Sequence, residues 1–304
     1  SSQILLKHAG DGFDEYRDEY NEMLLDKMQQ GQNGITTKKY FTVTVTAATL
    51  ELAQQKLAAK ELYMRSCFQK IGSNIEKLKA NERIRIIAEI FRGVNQEIRP
   101  ISSSEFLRGA EKSLCCPDYF EFKKDYFMYN DKFARMVYLK HLPSSLVDDM
   151  LKDLCETSLP IVVTVNIAPV EPSEAIKVVK RQLTAMRSNK MQKEKKASQH
   201  GVYSDVISDD LKQSLAEAEE LLNDLQSKNQ KMFLLNLVVM VTGTSFDELD
   251  NNTDKIEAVF RKHVCTTSRA NFQQEDAMAS CLPLGNCRLK VRRTLTTESA
   301  CVFM

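Results

Sequence analysis

Apolar residues recur at helical spacing over several stretches of the chain, and each stretch predicts a helix. The predicted helices cover residues 13–30, 50–78, 81–91, 144–155, 172–198, 208–225 and 245–263. Gly72 is expected to interrupt the second of these, and Asn81 to cap the third. Ser245 and Glu248 form an S-x-x-E pattern, which predicts a capping box at the start of the last helix.

Other stretches alternate or run continuously in β-branched and aromatic residues, which is typical of strands. The predicted strands are residues 40–46, 119–123, 125–129, 132–140, 159–168 and 232–242, with a short strand near Val264. The pair Asn130-Asp131 suits a tight turn between two of them. The apolar run at residues 301–304 also resembles part of a strand.

The order of these elements predicts an α+β fold with two lobes. Residues 93–118 are the least regular part, with Gly, Pro and a serine run, so the boundary is expected there. We therefore expect an N-terminal α/β lobe over 1–115 and a second lobe over 116–304. Without residues 171–230 the second lobe reads βαββαβ, which predicts a split-βαβ (ferredoxin-like) sheet.

Residues 171–230 predict an antiparallel helical hairpin inserted between the two central strands. Its first helix holds eight Lys or Arg against two Glu over 173–198, and the second holds two Lys against six acidic residues over 208–230. Four lysines near the tip could contact phosphates or anionic lipid heads: Lys190, Lys193, Lys195 and Lys196. The alternative is that the two oppositely charged arms pair with each other.

Composition narrows the function classes. The 304 residues contain 42 Lys plus Arg and 41 Asp plus Glu, so no global field attracts nucleic acid or an anionic membrane. The longest apolar run, 232–241, is about half of the roughly 20 residues that span a bilayer. Eight cysteines and four histidines show no C-x-x-C pair or other zinc spacing, so we expect no metal site.

The sequence also argues against catalysis in this chain. No Gly-Lys dipeptide occurs, so the phosphate-cradling loop of P-loop ATPases is missing. Ser245 lacks the second glycine of a nucleophile elbow and is interpreted as a helix cap. His263 and Cys265 are interpreted as a helix-terminal histidine and a buried cysteine, and Cys115 with Cys116 as a pair of which one could be exposed.

Four segments resemble a known family. They are DEYRDEYNEML with the glycines and strand that follow it over 14–46, EAIKVVKRQLTAMRSNKMQKEKKA at 174–197, LLNDLQSKNQKMFLLNLVVMV at 221–241, and FQQEDAMASCLPLGNCRLKVRRTLTTESACVFM at 272–304. Together they resemble the N-terminal region of the TrbE/CagE/VirB class of conjugal-transfer traffic ATPases, in the type IV secretion branch of Gram-positive conjugative transposons.

The resemblance implies a non-catalytic region that docks the ATPase at its channel and contacts neighbouring subunits. It implies inner-membrane channel components as partners, a hexamer of the full-length protein, and a cytoplasmic position at the inner face of the membrane. ATP and Mg²⁺ are expected only in a motor domain that this sequence, taken as a piece of a longer protein, does not contain. The alternative function is a nucleic-acid-binding module that uses the basic hairpin; otherwise DNA binding is expected to be weak or absent.

Overall fold

The computed structural model describes residues 6–30, 37–93, 111–143, 149–199, 209–228 and 230–303. The helices are α1 (Asp14–Gln30), α2 (Leu50–Lys70), α3 (Ala80–Arg92), α4 (Glu111–Cys115), α5 (Asp149–Cys155), α6 (Pro172–Gln199), α7 (Asp209–Ser227), α8 (Phe246–Lys262), α9 (Gln274–Cys281) and α10 (Thr297–Cys301). The strands are β1 (Phe120–Phe122), β2 (Phe127–Tyr129), β3 (Lys132–His141), β4 (Ile161–Pro169), β5 (Met232–Gly243), β6 (Thr266–Arg269) and β7 (Arg293–Thr296). The predicted α+β class is confirmed.

Seven strands of the described chain form one antiparallel sheet. The strand order is β1-β2-β3-β5-β4, with β6 paired to the outer side of β3 and β7 paired to β5. β3 and β4 both run antiparallel to β5, which separates them. Asn130 takes a φ of 47° in the tight turn between β2 and β3, a conformation that asparagine tolerates better than most residues.

The sheet is covered on both sides, which explains why β5 is apolar along most of its length. Its odd-numbered residues face α5 and α8, in a cluster that includes Leu237, Leu249 and Phe260. Its even-numbered residues Val238 and Met240 face α3 and α9. Each such buried side chain contributes about 1.5–3 kcal/mol of burial free energy.

Local end signals set the bounds of several helices. The Ser245 hydroxyl accepts from the Glu248 N–H at 3.1 Å, so the predicted cap of α8 is confirmed. The Glu248 carboxylate accepts in turn from the Thr244 N–H at 2.7 Å. The predicted cap of α3 is wrong, because the helix already begins at Ala80 and Asn81 lies inside its first turn.

Two strand predictions are wrong. Residues 40–46 pair with no strand in the described chain; Phe41 instead contacts Phe68 of α2, with the ring centroids 5.2 Å apart. Cys301 is the last residue of the short helix α10, whose N-cap Thr296 accepts from the Ser299 N–H, and residues 302–303 form a turn after it. The first segment alternates and the second is apolar, but neither has a neighbouring strand in the described chain, which a ladder requires.

α3 packs onto the sheet and also contacts the short helix α4. Phe91 is buried, and its ring lies 5.5 Å from those of Phe120 and Tyr129. One turn and two turns earlier on the same face of α3, Ala88 and Ile84 pack against Cys115 of α4. The division into lobes at residue 115 stays a prediction.

Candidate functional site

The helical hairpin holds the lysines that the sequence singled out. α6 and α7 lie between β4 and β5 in the chain and pack antiparallel through a common seam. The residues buried in that seam are Ala175, Val179, Leu183 and Leu215. Arg187 of α6 donates to Glu219 of α7 at 2.7 Å, so at least one pair of opposite charges joins the two arms.

The lysine cluster lies toward the end of α6. Lys190 is half-buried and Lys195 is exposed, and neither forms an ion pair with a described residue. The side chains of Lys193 and Lys196 are outside the described part of the structure. Phosphate or lipid contact at this cluster stays a prediction.

A second basic surface was not predicted from the sequence. Arg288, Lys290 and Arg292 are exposed at alternate positions of an extended run, and none forms an ion pair with a described residue. Leu289 between them is buried in the sheet core. The strict alternation in RLKVR was the available signal, because period two places all three cations on one side of an extended chain.

Buried polar side chains fix the backbone of this run, which we call the basic ridge (residues 288–292). The Ser280 hydroxyl accepts from the N–H groups of Arg288 and Leu289, each at 2.8 Å. Asn236 in β5 donates its amide to the Val291 carbonyl at 2.7 Å. The ridge is therefore held to the sheet and to α9 by hydrogen bonds that are shielded from water.

Arg135 is the most buried charged side chain of the described chain, with 1% of it exposed. It lies in β3 and donates to Asp250 of α8 at 2.6 Å and to the hydroxyl of Thr253 at 3.2 Å. It also lies 3.4 Å from the carboxylate of Asp125, and its guanidinium lies 5.7 Å from the centre of the Phe246 ring. These contacts tie the strand to α8.

The histidine nearest to a cysteine in the sequence is not paired with it. His263 lies 2.7 Å from the carboxylate of Asp153, while Cys265 is buried and contacts the sulfur of Met150 at 3.7 Å. Hydrogen bonds from Lys262 first, and then from His263, hold the pKa of Asp153 below its ordinary value. The geometry joins α5 to the end of α8 and does not form a Cys-His pair.

The cysteines of the described chain give no metal site. No group of three or more His, Cys, Asp or Glu side chains within the described ranges could hold a metal ion. Cys115 is buried and Cys116 is half-buried. Burial raises the pKa of Cys281 to about 11, so its thiol is neutral at physiological pH.

The N-terminal helices expose much apolar surface. α2 has 21 residues and none of them is buried. Leu62 and Tyr63 are 70% and 68% exposed, on the side of the helix away from the Phe68 contact. Tyr16 and Tyr20 in α1 are also exposed, as is Phe13 just before it. Among the helices that the structure describes, none is long and apolar enough to cross a bilayer.

Comparison with protein families identifies the family of this chain. Residues 70–292, which include α3, the hairpin and nearly the whole sheet, match the model of the CagE, TrbE, VirB family, described as a component of the type IV transporter system. A comparison with curated proteins returned no match. Because the family match extends over most of the chain, this protein belongs to the CagE/TrbE/VirB family of type IV transporter components.

Proposed function

We propose that this chain is the non-catalytic docking and assembly region of a type IV secretion ATPase. It contacts inner-membrane components of the channel and other copies of itself, at the cytoplasmic face of the membrane. The family match supports the role in a type IV transporter. The restriction to conjugative transposons of Gram-positive bacteria, and the hexamer, remain expectations from sequence resemblance.

The exposed apolar surface of α1 and α2 is the observation that carries this proposal. Isolated exposed apolar residues are ordinary, but a 21-residue helix without one buried residue has not found its packing partner in the described chain. Helices in proteins are stabilised mainly by packing of an apolar face. A partner that covers Leu62 and Tyr63 would supply that packing.

The proposal assigns no ATP turnover to this region. The chain has no Gly-Lys dipeptide, and therefore no phosphate loop of the GxxxxGK[ST] type. We propose that ATP and Mg²⁺ bind to a separate motor domain of the ATPase. Isothermal calorimetry of the chain with Mg-ATP is expected to show no saturable binding, and saturable binding would contradict the assignment.

The pairing pattern of four strands supports a split-βαβ core. β6, β3, β5 and β4 lie side by side in that order, with β3 and β4 parallel to each other around the antiparallel β5. α5 connects β3 to β4 and α8 connects β5 to β6. We infer that β1, β2 and β7, together with the hairpin, are additions to this core.

Retention by channel components tests the docking proposal. The channel proteins are reconstituted in nanodiscs, and binding of the chain is compared with that of L62S/Y63S. We expect the double variant to lose at least about tenfold in affinity, since two buried contacts of about 1 kcal/mol each are removed. Q55S/Q69S is the matched control, because these residues lie seven positions from Leu62 on the same helix face. Equal retention of L62S/Y63S and of the control Q55S/Q69S would contradict docking through α2.

A nucleic-acid-binding module is the second candidate, and the basic ridge favours it. Three exposed cations without a described ion-pair partner could each contact a phosphate. The near-neutral total charge weighs against it. Retention on single-stranded DNA that survives physiological salt and is lost in R288S/K290S/R292S would favour this candidate. Weak retention that disappears with salt is the outcome expected from the docking proposal.

A further inference from the structure

β4 is the end strand of the sheet that the described residues form, and its outer edge has no partner strand among them. It pairs with β5 over nine residues without a break, from Ile161 opposite Val241 to Pro169 opposite Phe233. No other strand of the described chain pairs with it. The edge therefore presents the backbone groups that are not used by β5.

The hydrogen-bond pattern identifies these backbone groups. The Val170 N–H donates to the Met232 carbonyl at 2.9 Å, one position beyond the last pair of the ladder. In an antiparallel ladder the direction of the N–H and C=O groups alternates along the strand. Even-numbered residues of β4 therefore point these groups to β5, and Ile161, Val163, Val165 and Ile167 point theirs outward.

Residues 161–167 carry none of the sequence features by which proteins protect a free edge. Natural edge strands are short, twisted by bulges, or interrupted by charged residues and proline. Residues 161–167 contain no charge, no proline and no glycine, and the register has no bulge. The opposite end strand β1, in contrast, has only three residues, includes Glu121 and is followed directly by two lysines.

We propose that β4 pairs antiparallel with β4 of a second copy of the chain, about a two-fold axis at Val165. This pairing sets Val163 opposite Ile167, so that apolar side chains meet on one face, and Thr164 opposite Asn166, so that polar ones meet on the other. No like charges meet, because the strand has none. The sequence is thus self-complementary about its central residue, as a two-fold interface requires.

The same register pairs the outward backbone groups from Ile161 to Pro169, except the Ile161 carbonyl. Val165 would exchange two hydrogen bonds with its counterpart, and Val163 two with Ile167 of the other copy. With Ile161 donating to the Pro169 carbonyl, the pairing supplies about eight hydrogen bonds across the interface. Pro169 has no N–H, and its only role in this pairing is to accept. The inference rests on the proposed function in one respect, that copies of the chain meet.

Sedimentation of the 304-residue chain over roughly 1–100 µM tests the pairing against two variants. Val165→Pro removes one outward N–H while leaving the bonds to β5 unchanged, since proline fits an edge position whose N–H faces away from the sheet. Val165→Ala loses the side chain but keeps the N–H. We expect the unchanged chain and V165A to dimerise, and the dissociation constant of V165P to rise at least about 100-fold with an unchanged far-UV spectrum. A monomeric unchanged chain, or a V165P that still dimerises, would overturn the pairing.

Hydrogen exchange of single amides gives the answer without any substitution, so it holds even if V165P fails to fold. Amides of residues 164 and 166 should be protected at every concentration, and those of Val163, Val165 and Ile167 only where the dimer forms. Protection of the odd-numbered amides in the monomer would mean that another part of the same chain covers the edge of β4. No protection of these amides at any concentration would mean that nothing pairs with this edge. Either result overturns the proposal.

The docking assay separates this inference from the proposed function. V165P keeps the α2 surface, so its retention on the channel components is expected to equal that of V165A. Dimerisation without retention would refute docking and leave the strand pairing standing. Retention of a chain that stays monomeric would refute the pairing and leave docking standing.

Discussion

Replacing Arg135 by alanine removes the buried cation that joins β3 to α8. Two carboxylates, of Asp250 and Asp125, would lose a partner at 2.6 and 3.4 Å, and the Thr253 hydroxyl would lose a donor. The Arg135 side chain is 1% exposed, so its guanidinium is shielded from water in the folded chain. The substitution also leaves a cavity beside Phe246.

The expected cost follows from the exposure of the partners. Breaking a fully buried ion pair costs about 3–5 kcal/mol. Here Asp250 and Asp125 are 44% and 33% exposed, so both recover part of their hydration once Arg135 is gone. We therefore expect R135A to lose about 3 kcal/mol, and R135M, which fills the cavity, to lose about 1–2 kcal/mol.

Urea unfolding followed by far-UV circular dichroism measures both variants, with linear extrapolation to water. D250A and R135M/D250A complete a double-mutant cycle, for which we expect a coupling free energy of about 1–2 kcal/mol. Lys255→Met is the matched control, because it removes an exposed cation from α8, the helix that Arg135 contacts. It should change the free energy of unfolding by less than about 0.5 kcal/mol. A loss below about 1 kcal/mol in R135A would refute the argument that the buried charge ties the strand to the helix.

Three further predictions concern local features. Asp153→Asn should destabilise the chain above about pH 4 and progressively less as pH falls, because the lowered pKa of Asp153 in the folded chain adds stability that is lost when the carboxyl is protonated. Unfolding at several pH values measures the difference in stability, and a difference that does not change with pH would contradict the prediction. Gly285→Ala should lower the stability of the chain more than Gly12→Ala. Both glycines have a positive φ, but only a Cβ at position 285 would lie 1.9 Å from the Thr44 hydroxyl. Equal melting temperatures of the two variants would contradict this contact. A maleimide at pH 7 should label Cys281 only after unfolding, because burial raises its pKa to about 11, and mass spectrometry of the labelled peptide checks it.

Local signals in the sequence determined much of the fold. The Ser245 cap depends on residues three apart, and the Asn130-Asp131 turn on two neighbours, so both were predicted correctly. The hairpin was predicted for the same reason, because its seam repeats within each helix. The strand prediction over 40–46 failed because alternation describes a side-chain pattern, whereas a strand also needs a partner for its backbone.

Only the tertiary structure decided which of these elements are covered and which are open. Nothing near Arg135 in the chain shows that it is buried, since Asp250 approaches it from 115 positions away. The basic ridge is held in place by Ser280 and Asn236, and no local pattern indicated that these two residues lie beside it. The apolar run of β4 predicted a strand, but it did not show that this strand lies at the edge of the sheet. Apolar content shows that side chains avoid water. The position of a strand in the sheet depends instead on its pairing with segments that are distant in the chain. No local pattern encodes these long-range contacts or the loop-closure cost of forming them.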